Sequence, residues 1–112
     1  MHGIIRLIFD AQNGDAISPR QFAEALELDL GELERCAGVE SKTALLNPES
    51  ETLQDYMRAS LLVILTIAKE TLDPEKAMFY FKYLPVDELA YKTPQMLVSE
   101  GRAIEVLLHM SR

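Results

Sequence analysis

Cysteine occurs once in this chain, at Cys36. Neither an internal disulfide nor a thiolate metal cluster can form, which is the pattern of a reducing compartment and leads us to expect a cytoplasmic protein. Histidine occurs twice, at His2 and His109, near opposite ends. Glu105, four residues before His109, stands at helical ligand spacing, but one His/Glu pair offers two ligands where zinc takes three or four. A histidine in the last turn of a helix, favourable to the dipole, is the simpler reading of His109. The five glycines are isolated, so no phosphate-cradling loop exists. Cys36 has no base beside it in sequence, and Asp87-Glu88 reads as a solvated turn rather than an acid/base pair. No catalytic constellation, cofactor site or metal site is therefore expected. Long hydrophobic runs are missing too. The longest aliphatic one, Leu61 to Leu65, is far short of the roughly 20 residues that span a bilayer. The apolar start around Ile4 and Ile5 is broken by Arg6 and Asp10, unlike a secretory leader. Basic side chains number 11 against 18 acidic, a net charge of −7, which disfavours nonspecific binding to nucleic acid or anionic membrane.

The chain has 112 residues, 48% hydrophobic and 26% charged, enough to bury one core. Residues 1–10 fit a helix or an edge strand, and periodicity leaves both open. Ser18-Pro19-Arg20-Gln21 is a helix start: Ser18 stands three residues before Gln21, with proline in the first turn. Phe22, Ala25, Leu26 and Leu28 supply its apolar stripe. Asp29 with Glu32 opens a second short helix, which Gly38 closes. The pair has the outline of a helix-turn-helix, in which Lys42 and Thr43 would lead into the DNA-reading element. Residues 1–72 carry six basic and twelve acidic side chains, a balance of −6, so packing is the better reading of this pair than DNA contact.

Asn47-Pro48 predicts the start of the longest helix, running to about Leu72. Leu53, Tyr56, Met57, Leu61, Ile64, Ala68 and Leu72 recur at three- and four-residue steps. Little of its middle is polar, so it should be buried on several sides. After it come short elements. Asp73-Pro74 and Thr93-Pro94 are cap-plus-proline starts, Leu84-Pro85 is a stop, and Gly101 suits a left-handed helix end. They predict helices over 74–84, 94–100 and 102–110, with a helical turn at 86–90. In the last helix Ile104, Leu107 and Leu108 fall on one face. Phe79, Tyr80, Phe81 and Tyr83 cannot all point the same way, so some should be exposed. The expected fold is all-α: a compact bundle of five to seven helices with a helix-turn-helix-like N-terminal pair and a long central helix. Residues 1–72 and 73–112 would be two parts of one compact unit.

The C-terminal stretch resembles the toxin-binding domain of the Xre/MbcA/ParS antitoxin family. The resemblance lies in Ala77, Phe79-Tyr80-Phe81-Lys82, Leu84-Pro85, Leu89, Thr93-Pro94, Leu97-Val98, Gly101 and Val106-Leu107, in that order and spacing. Phe22-Ala23 through Leu33 and Cys36-Ala37-Gly38-Val39 are similar to the family's degenerate helix-turn-helix. Together they cover most of residues 18–110. Phenylalanine stands where the family usually has tryptophan. The glycine-containing tail that follows the last helix in many relatives, and approaches the toxin's active site, is not seen before Arg112. The resemblance implies a non-enzymatic antitoxin of a type II toxin–antitoxin system that occludes a RES-type, NAD-consuming toxin. Thr93, Pro94, Leu97, Val98, Gly101, Arg102, Glu105 and His109 would lie near the toxin-binding face. Two other readings are a DNA-binding regulator of the same ancestry, and a helical scaffold with an unrelated partner. A homo-oligomer is compatible with each.

Overall fold

The predicted caps at Ser18, Asp29, Asp73 and Thr93 form and open four of the helices. The computed structural model describes residues 2–110, with His2 as backbone alone. The very start of the N-terminal segment, at Met1, and the chain end at Ser111 and Arg112 lie outside the described residues. The elements are α1 (His2–Gln12), α2 (Pro19–Ala25), α3 (Leu30–Ala37), α4 (Thr43–Leu46) and α5 (Glu51–Thr71). They continue with α6 (Pro74–Tyr83), a 3-10 turn (Asp87–Leu89), α7 (Pro94–Ser99) and α8 (Ala103–Met110). The fold is all-α, and among the described residues there are eight α-helices where five to seven were expected.

Two elements make the difference. Residues 2–12 form a helix because Ile4 and Leu7, both fully buried, share one face with Ile8 and Ala11. Arg6 pairs with Asp10 on the other face, one turn apart. The second is the single turn α4. Its leading residue Lys42 has no capping side chain, and Glu34 of α3 supplies the cap from a distance. The buried Glu34 carboxylate accepts the Ala44 N–H at 2.9 Å. The long helix also starts later than Asn47-Pro48 suggests. Asn47 ends α4 and accepts the Ser50 N–H, and Ser50 becomes the cap of α5.

Helix α5 is the spine, in contact with α1, α3, α6, α7 and α8. Leu53, Met57, Leu61, Val63 and Ile64 of α5 are buried together with Phe22, Leu33, Phe81 and Leu97 from its neighbours. Tyr56 meets Phe22 edge-on at 6.2 Å between centroids. Leu72 is not part of this stripe: it takes the left-handed conformation that ends α5, which throws its side chain into solvent, 85% exposed. The radius of gyration is 13.0 Å, close to the ~13 Å of a single folded body near this length.

Long polar side chains close the joints. The Gln54 amide accepts the Ile17 N–H and donates to the carbonyls of Ile17 and Pro48, pinning the α1–α2 connection to α5. Arg58 donates to the Asp15 carbonyl in the same loop. Lys82 of α6 donates to the Leu26 carbonyl at the end of α2, and Ser99 of α7 donates to the Cys36 carbonyl on α3. The C-terminal helices are thereby tied to the N-terminal pair as well as to α5. Among the described residues no helix is long and apolar enough to cross a membrane.

Candidate functional site

The C-terminal end of the bundle is built on local signals. Thr93 caps α7, its hydroxyl accepting the Met96 N–H, and the buried Pro94 occupies the first turn. Gly101 (φ 80°) reverses the chain, and the Arg102 N–H bonds back to the Leu97 carbonyl. That reversal places α8 against α5 and α7. Leu97 and Val98 point into the core, 0% and 5% exposed. They therefore support the face rather than form it: in a helix of six residues only one side can reach α5, and these two take it. Of the eight residues expected at this face, Arg102, Glu105 and His109 present polar groups at the surface. Thr93, Pro94 and Gly101 shape the backbone.

The surface groups form a chain. Lys92 pairs with Glu100, Glu100 with Arg102 at 3.5 Å, and Arg102 with Glu105 through two guanidinium N–H groups. Lys92 holds the Glu100 carboxyl below its ordinary range, and Arg102 does the same for Glu105. His109 lies 3.5 Å from Glu88 of the 3-10 turn.

Helix α8 corrects the expected stripe. Val106 is buried and Leu107 half-buried, whereas Ile104 and Leu108 are 72% and 63% exposed. With Ala103, Val106 and Leu107 facing inward, the residues two steps off that side turn to water. Ile104 and Leu108, one turn apart, leave an apolar ridge beside the Arg102–Glu105 pair. Tyr91 is a second unforeseen feature. It is 72% exposed at the tip of a turn in which both Ala90 (φ 63°) and Tyr91 (φ 60°) are left-handed. Left-handed backbone costs a non-glycine residue roughly 1–2 kcal/mol, and no sequence signal marks this pair. Of the aromatics in α6, Phe81 is buried and Tyr80 half-buried, while Phe79 and Tyr83 are exposed and pack on each other at 5.1 Å.

The element after Lys42 is one turn long. The N-terminus of α4, where a phosphate would dock, already holds the Glu34 carboxylate. The Thr43 hydroxyl donates to the Glu40 carbonyl. Lys42 stands at the head of this single turn in left-handed backbone, φ 72°.

Burial pushes the Tyr56 phenol up, with the nearby Cys36 adding to the rise, so Tyr56 stays neutral. Its hydroxyl lies near Ser60, Cys36 and Gln95 but, like the Ser60 hydroxyl, makes no well-formed hydrogen bond. Among the described residues no group of three or more His, Cys, Asp and Glu side chains could hold a metal ion. What the C-terminal end offers is contact: an exposed apolar ridge, an ordered row of charges, and an open trough beside them. Comparison with family models, with curated proteins and with solved structures finds no match to this chain.

Proposed function

We propose that this chain is a non-enzymatic antitoxin of a type II toxin–antitoxin system, acting by binding a RES-type, NAD-consuming toxin and occluding its active site. The observation that carries the reading is the outer face of α8. Ile104 and Leu108 stand exposed one turn apart beside the paired Arg102 and Glu105. A protein-binding patch has this composition, an apolar centre next to oriented charges, with arginine favoured over lysine. The motif order that resembles the Xre/MbcA/ParS family runs through the same helices, and the net charge of −7 suits a basic partner surface.

The test is co-expression with the product of the adjacent gene, co-purification, and an assay of NAD loss with and without this chain. A stable complex that suppresses NAD consumption supports the proposal; a harmless neighbour or no complex refutes it. Within a complex, Arg102→Glu with Glu105→Arg should weaken binding while helix content by circular dichroism stays unchanged. Unaltered affinity would remove this face from the interface.

A further inference from the structure

We infer that the trough between the end of α5, the 3-10 turn and α8 docks a basic amphipathic helix of the partner protein. This deepens the partner-binding reading above and rests on it. The trough has a volume of about 530 Å³, within the ~300–1,000 Å³ typical of ligand sites, but it is open rather than enclosed. Its floor is apolar: Ile67 of α5, Tyr80 and Leu84 at the end of α6, Val86, and Val106 and Met110 of α8. Leu84 is half-exposed within it. Its rim is acidic, with Glu70 on α5 and Asp87 and Glu88 on the 3-10 turn. Among the described residues no lysine or arginine lines it. Of the described lining side chains, His109 is the one able to carry positive charge, and it already faces Glu88 at 3.5 Å.

Two other hollows do not combine these features. The one between α2 and α6 has acidic walls, Glu24, Glu27 and Glu75, but Lys82 crosses it to reach the Leu26 carbonyl. The one between α1 and α5 is apolar, but small at 200 Å³ and flanked by Arg58 without an acid.

The geometry selects a helix over an extended strand. Among the described residues there is no strand, only the isolated Val86–Lys92 bridge. The backbone of Val86 is fully used: its N–H donates to the Lys92 carbonyl, and its own carbonyl accepts from Leu89 and Tyr91. No sheet edge is left to extend, so recognition falls to side chains, as when an amphipathic helix lays its apolar stripe in a groove. Carboxylates on the rim match lysine or arginine on the flanks of that stripe. They would speed encounter and reject acidic partners more than they would add affinity.

The probe is a fluorescein-labelled amphipathic peptide of leucine and lysine at helical spacing, titrated with the full chain and followed by fluorescence anisotropy. Its leucine/glutamate counterpart is the charge control. Glu70→Lys with Glu88→Lys reverses the rim, and Leu84→Asp spoils the floor at an exposed position. Glu24→Lys with Glu27→Lys makes the same charge change at a distant surface. We expect binding of the lysine peptide alone, weakened about 10-fold or more by the rim pair and by Leu84→Asp, and less than about 3-fold by the distant pair. Circular dichroism confirms that each variant is folded. Equal weakening by the distant pair would mean diffuse attraction to an acidic protein and would overturn the inference, as would no binding or binding insensitive to rim and floor. Failure of the trough is separable from failure of the proposed function. A toxin complex that survives Glu70→Lys with Glu88→Lys removes the trough and keeps the antitoxin. Peptide binding that obeys these variants without a toxin complex keeps the docking surface and removes the named partner.

Discussion

Replacing Gln54 by leucine should be among the most destabilising single changes in the chain, although glutamine is rarely a core residue. Gln54 is 5% exposed and makes three hydrogen bonds, all to backbone: it accepts from the Ile17 N–H at 2.9 Å and donates to the carbonyls of Ile17 and Pro48 at 2.8 Å each. Leucine has nearly the same size, so the volume term is small. What changes is pairing. The two groups of Ile17 lie in a buried setting and would lose their partners, while the Pro48 carbonyl is partly solvated and can turn to water. Each buried group left unpaired costs about 1–3 kcal/mol. With one of the two regaining some water through loop motion, the loss should be about 2–4 kcal/mol, out of a total of about 5–15 for a domain. That corresponds to a fall in Tm of roughly 8–20 °C at this size. The assay is urea unfolding followed by circular dichroism. Gln54→Glu is the informative companion: it keeps the acceptor for the Ile17 N–H but sets a carboxylate against two carbonyls, so it should be at least as harmful. A loss below about 0.5 kcal/mol for Gln54→Leu, the level of a neutral surface change, would refute the view that this side chain anchors the α1–α2 connection.

Leu97→Ala should cost about 2–5 kcal/mol in the same assay because the side chain is fully buried, whereas Ile104→Ala, largely exposed, should stay within about 0.5 kcal/mol; comparable losses would mean that the faces of α7 and α8 are misassigned. Ala90→Asn with Tyr91→Gly places residues that accept left-handed backbone in the turn and should stabilise the chain by about 1 kcal/mol; a loss on urea unfolding would show that the Tyr91 ring packs more than its exposure indicates. Glu100 and Glu105 have folded pKa values lowered by Lys92 and Arg102, so their ion pairs contribute above the ordinary glutamate value and are lost as pH falls through the lowered ones. Carboxyl NMR titration should find both below that ordinary value, and Arg102→Gln should raise Glu105 toward it; titration of Glu105 at the ordinary value in the unaltered protein would contradict the pairing.

The helix starts were readable because a cap is a bond between residues two or three positions apart. Ser18 to Gln21, Asp29 with Glu32, Asp73 to Glu75 and Lys76, and Thr93 to Met96 all form. Gly38 and Gly101 take the left-handed conformation that their positions suggested. The spine stripe was readable for a similar reason, since twenty-one residues repeat the pattern enough to define a side. Helix α8 offers only eight, five of them Ile, Val, Leu or Met, so several faces look equally apolar and packing alone chooses Val106 over Ile104. Glu34 and Gln54 were unreadable as anchors because their partners lie 10 and 37 residues away. The Ala90-Tyr91 turn violates local preference outright. It persists because the Val86–Lys92 bridge holds both its ends.

These differences follow one physical division within the molecule. In the N-terminal half, polar side chains that reach inward end on backbone: Glu34 on α4, Gln54 and Arg58 on the α1–α2 connection. These bonds close the joints between helices, while Ile5 and Phe9 of α1 and Leu45 and Leu46 of α4 stay exposed. At the C-terminal end Ser99 also ends on backbone, but Lys92, Glu100, Arg102 and Glu105 pair with one another at the surface, and Ile104 and Leu108 stay outside. Helices of six and eight residues do not hold their shape alone in water. Leu97, Val98 and Val106, with Ala103, Leu107 and Met110 packed beside them, hold α7 and α8 to the core. A partner that covered Ile104 and Leu108 would give α8 a second apolar contact and stabilise it by mass action. A short helix that carries exposed aliphatic side chains gains stability from being bound, which is why we propose the interaction there.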